Sequence, residues 1–214
     1  MKTVKLFSLI ICTAMLLPVA QAQFTDQGRF MIGSAVGFAT NTSKTSFSNQ
    51  TPNAGSAVPQ NTKWNVAPSI GYFLVKNFTL GIGLDYTVSS ETREGEQKTK
   101  DSDLLFGQYA RLYYPFGDKA VFLQGNFGFG NSSDNLSIGG ETQNINTNIL
   151  AIGVGPGFTI FSNDALGIEA LVKYNYARSK FDIDIDGVKT STITKTNQVA
   201  LSLGLQLYFA GLVK

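Results

Sequence analysis

Residues Phe78-Thr-Leu-Gly-Ile-Gly-Leu-Asp-Tyr-Thr-Val88 decide how the rest of this chain is read. Large apolar side chains hold every even position: Phe78, Leu80, Ile82, Leu84, Tyr86 and Val88. Small or polar ones hold every odd position: Thr79, Gly81, Gly83, Asp85 and Thr87. Successive side chains of a strand point to opposite faces, so one face is bulky and the other is glycine with a carboxylate. A soluble barrel turns its bulk inward. Here the bare face suits the inside of something narrow, and the bulky face suits lipid.

Seven further segments carry the same two-faced pattern: Arg29–Ala39, Trp64–Phe73, Leu104–Tyr114, Val121–Phe129, Leu150–Ile160, Leu166–Tyr176 and Val199–Phe209. The last sets Val199, Leu201, Leu203, Leu205, Leu207 and Phe209 against Ala200, Ser202, Gly204, Gln206 and Tyr208. Pro68 falls inside the second predicted strand, where it signals an edge or a bulge. The connections Thr40–Lys63, Ser89–Asp103, Gly130–Asn148 and Ala177–Gln198 are long and polar, whereas Leu74–Asn77, Pro115–Ala120 and Phe161–Ala165 are short. This alternation predicts an all-β fold, an eight-stranded antiparallel up-and-down transmembrane β-barrel with tight turns at the periplasmic end.

Aromatic spacing gives an independent reading. Phe30 and Phe38, Trp64 and Tyr72, Phe78 and Tyr86, and Phe106 and Tyr114 each share a face eight residues apart. Eight residues cover ~26 Å of strand, or ~20 Å along the membrane normal at a tilt near ~40°. That approaches the ~25 Å apolar band between the aromatic girdles of a bacterial barrel.

The chain begins as an exported one would. Lys2 and Lys5 precede the largely apolar run Leu6–Leu17, and Ala20-Gln21-Ala22 is a small-x-small cleavage site, so 1–22 reads as a signal peptide and 23–214 as the barrel domain. Those two lysines account for the whole formal charge of +2, which leaves the mature chain neutral. A neutral chain lacks the basic footprint of a nucleic-acid binder. Cys12 is the only cysteine and lies within the leader, and histidine is absent. The mature chain therefore has no disulfide or thiol nucleophile, and no metal site or cofactor is expected.

The chain resembles the small eight-stranded outer-membrane barrels of the OmpA/OmpX kind, especially the family common in the Bacteroidetes. Tyr109-Ala-Arg-Leu-Tyr-Tyr-Pro115, Ile152-Gly-Val-Gly-Pro-Gly-Phe158, Leu166-Gly-Ile-Glu-Ala170 and a Leu-rich final strand ending Tyr208-Phe209 carry the likeness. It implies a porin-family protein of the Gram-negative outer membrane, exported with a cleaved signal peptide. The partners it implies are outer-membrane lipids and lipopolysaccharide, the barrel-assembly machinery, periplasmic chaperones and an unidentified extracellular ligand at the cell surface.

Four charges fall on the predicted interior: Asp85, Arg111, Glu169 and Lys173. Counted from the periplasmic end, Arg111 stands level with Glu169, and Asp85 level with Lys173. An isolated charge in a closed lumen is costly, so two pairs and a plugged interior are expected, with Tyr109, Gln124, Asn126 and Gln206 adding hydrogen bonds. Asp182-Ile-Asp-Ile-Asp-Gly187 opens like a calcium loop, but its twelfth place is Ile193 rather than Glu. The Asp186-Gly187 turn signal instead predicts a hairpin with Ile185 opposite Val188 and Asp184 opposite Lys189. Gly153-Val-Gly-Pro-Gly157 has no following helix, so it is not read as a phosphate loop.

Four functions compete. A non-enzymatic surface or envelope barrel fits best. A narrow porin-like channel would need an open lumen. The outer-membrane lipid-modifying enzymes and proteases of this general form rely on histidine, which this chain lacks. A soluble lipocalin-like carrier would need the bulky face turned inward.

Overall fold

The computed structural model describes residues 23–47, 62–91, 99–138, 141–162, 165–185 and 188–210. The predicted leader and the predicted turn at Asp186-Gly187 lie outside the described residues. Eight strands follow a short 3-10 turn at Gln23–Thr25: β1 (Phe30–Phe47), β2 (Thr62–Val75), β3 (Phe78–Glu91), β4 (Thr99–Phe116), β5 (Lys119–Ile138), β6 (Glu141–Ser162), β7 (Leu166–Ile185) and β8 (Val188–Phe209). Each pairs antiparallel with its chain neighbours, and β8 returns to β1, closing the barrel. Closure leaves the membrane-level wall no sheet edge, as lipid demands.

The alternation read from Phe78–Val88 is what sets the wall. Leu80, Ile82, Leu84 and Tyr86 lie on the outside, each between 44% and 45% exposed, whereas Thr79 is fully buried. The other strands repeat this, with Phe38, Leu112 and Leu203 about as exposed as any. The Cβ period of two turns a binary sequence into a lipid face and a lumen face.

At one end the chain reverses tightly. Asn77 takes φ 66° between β2 and β3, a conformation its short amide tolerates, and Gly117 takes φ 63° between β4 and β5. The 3-10 turn is tied to this end: Asn77 N donates to Thr25 O at 2.8 Å, and Gly28 N to Phe73 O at 2.9 Å.

Pro68 stays inside β2 and keeps its register with Ser34 of β1. On the other side the β2–β3 ladder skips from Val66↔Tyr86 to Ser69↔Gly83. Pro156 does the same to β6–β7, which skips from Val154↔Tyr174 to Gly157↔Leu171. A proline has no N–H to give the ladder, so each takes out a short stretch of pairing rather than the strand.

The other end departs from the sequence reading. β2 and β3 have 14 residues, but β6 and β8 have 22. A membrane strand needs only ~9–11. The segments predicted as long loops are in large part strand that continues past the apolar band. There the wall divides. Pairing stops at Thr40↔Thr62 between β1 and β2, at Ser102↔Ser133 between β4 and β5, and at Asn148↔Lys180 between β6 and β7. The β5–β6 ribbon runs on to Ile138↔Glu141. A three-stranded flap joins β7–β8 to Ile185↔Val188 and β8–β1 to Phe47↔Thr192. Asp184 pairs with Lys189, the register that the Asp-Gly turn dictates.

Candidate functional site: the barrel lumen

The glycines of the inner face are seats for side chains from neighbouring strands. A Cβ on Gly81 would strike the Tyr109 ring, and one on Gly157 would strike the Phe122 ring. Bare positions on one strand thus let bulky ones on the next fold into an eight-stranded interior, which is barely wide enough for side chains.

Arg111 of β4 crosses the lumen to Glu169 of β7. Its Nη1 donates to Glu169 Oε2 at 2.7 Å and to the Tyr113 hydroxyl at 3.0 Å. Its Nε donates to Gln124 Oε1 at 2.6 Å, from the residue paired with it on β5. The second carboxylate oxygen, Glu169 Oε1, accepts from the Tyr208 hydroxyl at 2.8 Å. The guanidinium carbon lies 4.8 Å from the Phe122 ring centre and 5.2 Å from that of Tyr109. The two charged side chains are 7% and 4% exposed. Desolvating two charges this fully is tolerable only because both are paired and hydrogen-bonded.

Beneath this pair lies an aromatic floor. Met31, Phe73, Tyr113, Ala120, Phe122, Phe161 and Tyr208 belong to one buried cluster that Tyr109 and Leu171 continue upward, each two residues above a member of the pair. Phe24, from the turn before β1, closes it: its ring stacks on Phe161 with centroids 4.3 Å apart and meets Tyr208 edge-on at 6.3 Å. The Thr25 hydroxyl donates to Asn77 Oδ1 at 2.6 Å, fixing the turn against the β2–β3 reversal.

Above the pair the lumen opens into a cavity of about 210 Å³, lined by Asn65, Asp85, Asn126, Lys173, Asn175 and small residues such as Ala67 and Ala200. Asp85 and Lys173 do not form an ion pair. Asp85 accepts from Asn65 Nδ2 at 2.8 Å and from the Thr87 hydroxyl at 3.2 Å. Residues β3 and β7 contribute stand on opposite walls, four strands apart, so the cavity separates the two charges while β2 supplies Asp85 a nearer donor. Each also lies beside a proline gap in its wall, since Asp85 and Lys173 are among the residues left without a ladder partner there. Of the amides expected to join the network, Gln124 does, whereas Asn126 Oδ1 and Gln206 Oε1 are buried without a protein partner.

A closed antiparallel barrel, bulky outside and polar inside, is built for a lipid bilayer. The family model of the outer membrane protein β-barrel domain matches residues 9–206. The chain belongs to that family. This outer-membrane barrel accordingly resides in the outer membrane of a Gram-negative cell. Its fold is similar to that of the outer membrane protein OprG from Pseudomonas aeruginosa, with a TM-score of 0.64 at 12% identity, over 89% of this chain and 100% of that one. It is also similar to Neisserial surface protein A, with a TM-score of 0.53 at 18% identity, over 86% and 98% of the two chains. No curated protein matches the sequence.

Sequence reasoning missed two parts of this outer-membrane barrel's interior. The first is the floor. Phe73 and Tyr208 stand at the inward parity of predicted strands, and a row of inward aromatics at the turn ends of several strands was the available signal. The second is the Lys63–Asp103 ion pair, with Nζ 3.4 Å from Oδ2 on β2 and β4. Both residues were assigned to loops, because the strands were ended where the apolar alternation stops.

Proposed function

We propose that this protein is a non-enzymatic outer-membrane scaffold whose lumen is plugged on the periplasmic side and whose extended strands meet the surroundings of the cell. The plug carries the reading: the Arg111–Glu169 pair, satisfied at both carboxylate oxygens, rests on the aromatic floor that Phe24 completes. Asp85 and Lys173 belong to the roomier half above it, where they make the vestibule polar. The ribbon and the flap carry strand beyond the apolar band, for surface interaction or for contacts that maintain the envelope. Leader removal after Ala22 would free the segment that holds Phe24 at the floor. The barrel-assembly machinery and periplasmic chaperones are the partners of its biogenesis, and an extracellular ligand is the partner of its flaps.

Planar-bilayer recording of the purified full barrel tests the plug. The expected trace is silent at moderate voltage, and a stable, large conductance would overturn the reading.

A further inference from the structure

Two opposite charges line the upper lumen, and neither neutralises the other. Asp85 of β3 and Lys173 of β7 border the same cavity of about 210 Å³ from walls four strands apart. Asp85 is held by its own side of the barrel. It accepts from Asn65 Nδ2 at 2.8 Å and from the Thr87 hydroxyl at 3.2 Å, and both bonds fall on Oδ1, which leaves Oδ2 as an acceptor. Among the described residues, Lys173 makes no hydrogen bond or ion pair, so the three donors of its ammonium are unused. Its neighbour in register on β8 is Ala200, too small to cover it.

The wall that carries Lys173 adds further donors. Asn126 of β5 and Asn175 of β7 are each in register with Gly153 of β6. A Cβ on Gly153 would strike Oδ1 of both amides, so the two oxygens lie over the bare strand between them. Their Nδ2 groups then remain as donors on the Lys173 wall, and Asn175 stands two residues above Lys173 on the same strand. One wall of the cavity thus offers a carboxylate oxygen, and the facing wall offers an ammonium and amide N–H groups.

We propose that the upper lumen binds a small zwitterion, with its ammonium against Asp85 and its carboxylate against Lys173, Asn126 and Asn175. Charge selects this class. An anion alone would bring its charge toward Asp85, and a cation alone toward Lys173, so each is opposed by one wall. A molecule with both signs satisfies both walls, and its charge-assisted hydrogen bonds replace those that each group now makes to water. The cavity limits the ligand to the size of an amino acid, held among small residues such as Ala67, Ala151 and Ala200. The site rests on the polar vestibule of the proposed function, and a conducting floor would leave it in place.

The test titrates the full refolded barrel at neutral pH with three probes, glycine, acetate and methylammonium, and follows the side-chain amides by NMR. Glycine should shift the Asn65, Asn126 and Asn175 amides saturably, with a Kd on the order of 1 mM because both charges are hydrated beforehand. Acetate and methylammonium, with one charge each, should bind about tenfold more weakly or worse. Asp85→Asn and Lys173→Gln should each weaken glycine about tenfold while the heat-modifiable gel shift persists. Asp85→Asn should also strengthen acetate, because it removes the opposing charge, and a merely loosened lumen would not do that. Asp85→Asn alone gives the same reading should Lys173→Gln not fold. Glycine without a saturable shift, single-charge probes that match it, or an Asp85→Asn barrel that binds all three as the parent does would overturn the proposal and leave the plug untouched.

Discussion

The lower and upper halves of this lumen are lined by the same eight strands yet are built on opposite principles. Below Arg111 the inner face carries Phe73, Tyr113, Phe122, Phe161 and Tyr208, and the interior is closed. Above it the inner face carries many Asn, Ser, Ala and Gly residues, with Tyr109, Leu105 and Leu171 and the charged Asp85 and Lys173 among them, and a cavity of about 210 Å³ remains. Two charge arrangements mark the change. Arg111 and Glu169 touch, dry and fully bonded, while Asp85 and Lys173 face each other across the cavity without touching. Arg111 and Glu169 pair across the barrel where packing excludes water, whereas the Lys63–Asp103 pair in the upper half reaches only from β2 to β4 and is about a fifth exposed. Where the wall residues are small, water and neighbouring amides are the better partners.

The largest effect should come from breaking the dry pair. Glu169→Ala strips Arg111 of its counter-charge and leaves a buried cation, which costs ~3–5 kcal/mol. Urea unfolding in lipid vesicles, followed through Trp64, the single tryptophan, would show it as a lower midpoint at unchanged slope. A loss below about 1 kcal/mol, the scale of a surface pair, would mean that the plug is wetter than its burial indicates.

The glycine seats give the next effect and a built-in control. Gly81→Ala pushes a methyl into the Tyr109 ring and should cost ~1–3 kcal/mol through overpacking. Gly125 instead lies on the lipid face, where an added methyl would meet nothing within 4 Å, so Gly125→Ala should leave the midpoint unchanged or raise it slightly. Equal effects would mean that the bare face has room to spare, against the account of the glycines as seats.

How much of this was legible in the sequence depended on whether a position is governed by period or by partner. Phe78–Val88 gave its two faces directly, because a strand imposes a period of two on every residue. The Asp-Gly turn likewise fixed the register of Ile185 with Val188. Strand length was misjudged because beyond the bilayer the outer face turns polar, as at Lys180 and Lys195, and the contrast that reveals a strand vanishes. Counting residues from the turns set Arg111 and Glu169 at the same height, and the structure places them in contact. The same counting set Asp85 level with Lys173, but height alone ignores which walls two strands occupy and what the neighbouring strand offers. Phe24 lies before the first strand, where no periodicity could assign it a place.

Removing that ring gives a smaller, separable effect. Phe24→Ala deletes the stack on Phe161 and the edge contact with Tyr208 while leaving every strand intact. The expected loss is ~1–2 kcal/mol, from the buried ring area and one aromatic pair. Quenching of hydrogen-exchange protection at Phe73 and Tyr208 should accompany it. Unchanged protection there would mean that Phe24 lies against a floor already sealed without it.

The smallest effect is the most discriminating. Asp85→Asn keeps the shape of the side chain and retains an acceptor for Asn65 and Thr87, the two donors that hold the carboxylate. Because Asp85 makes no ion pair and faces a cavity, neutralising it should change stability by less than about 1 kcal/mol, the range of a solvated charge. Glu169→Gln is equally conservative in shape, yet it should cost several times more, since it leaves the Arg111 guanidinium buried without a counter-charge. Measured side by side, the two substitutions differ only in which half of the lumen they touch. If Asp85→Asn cost as much as Glu169→Gln, the upper half would be as dry as the floor, and the division between plug and vestibule would fail.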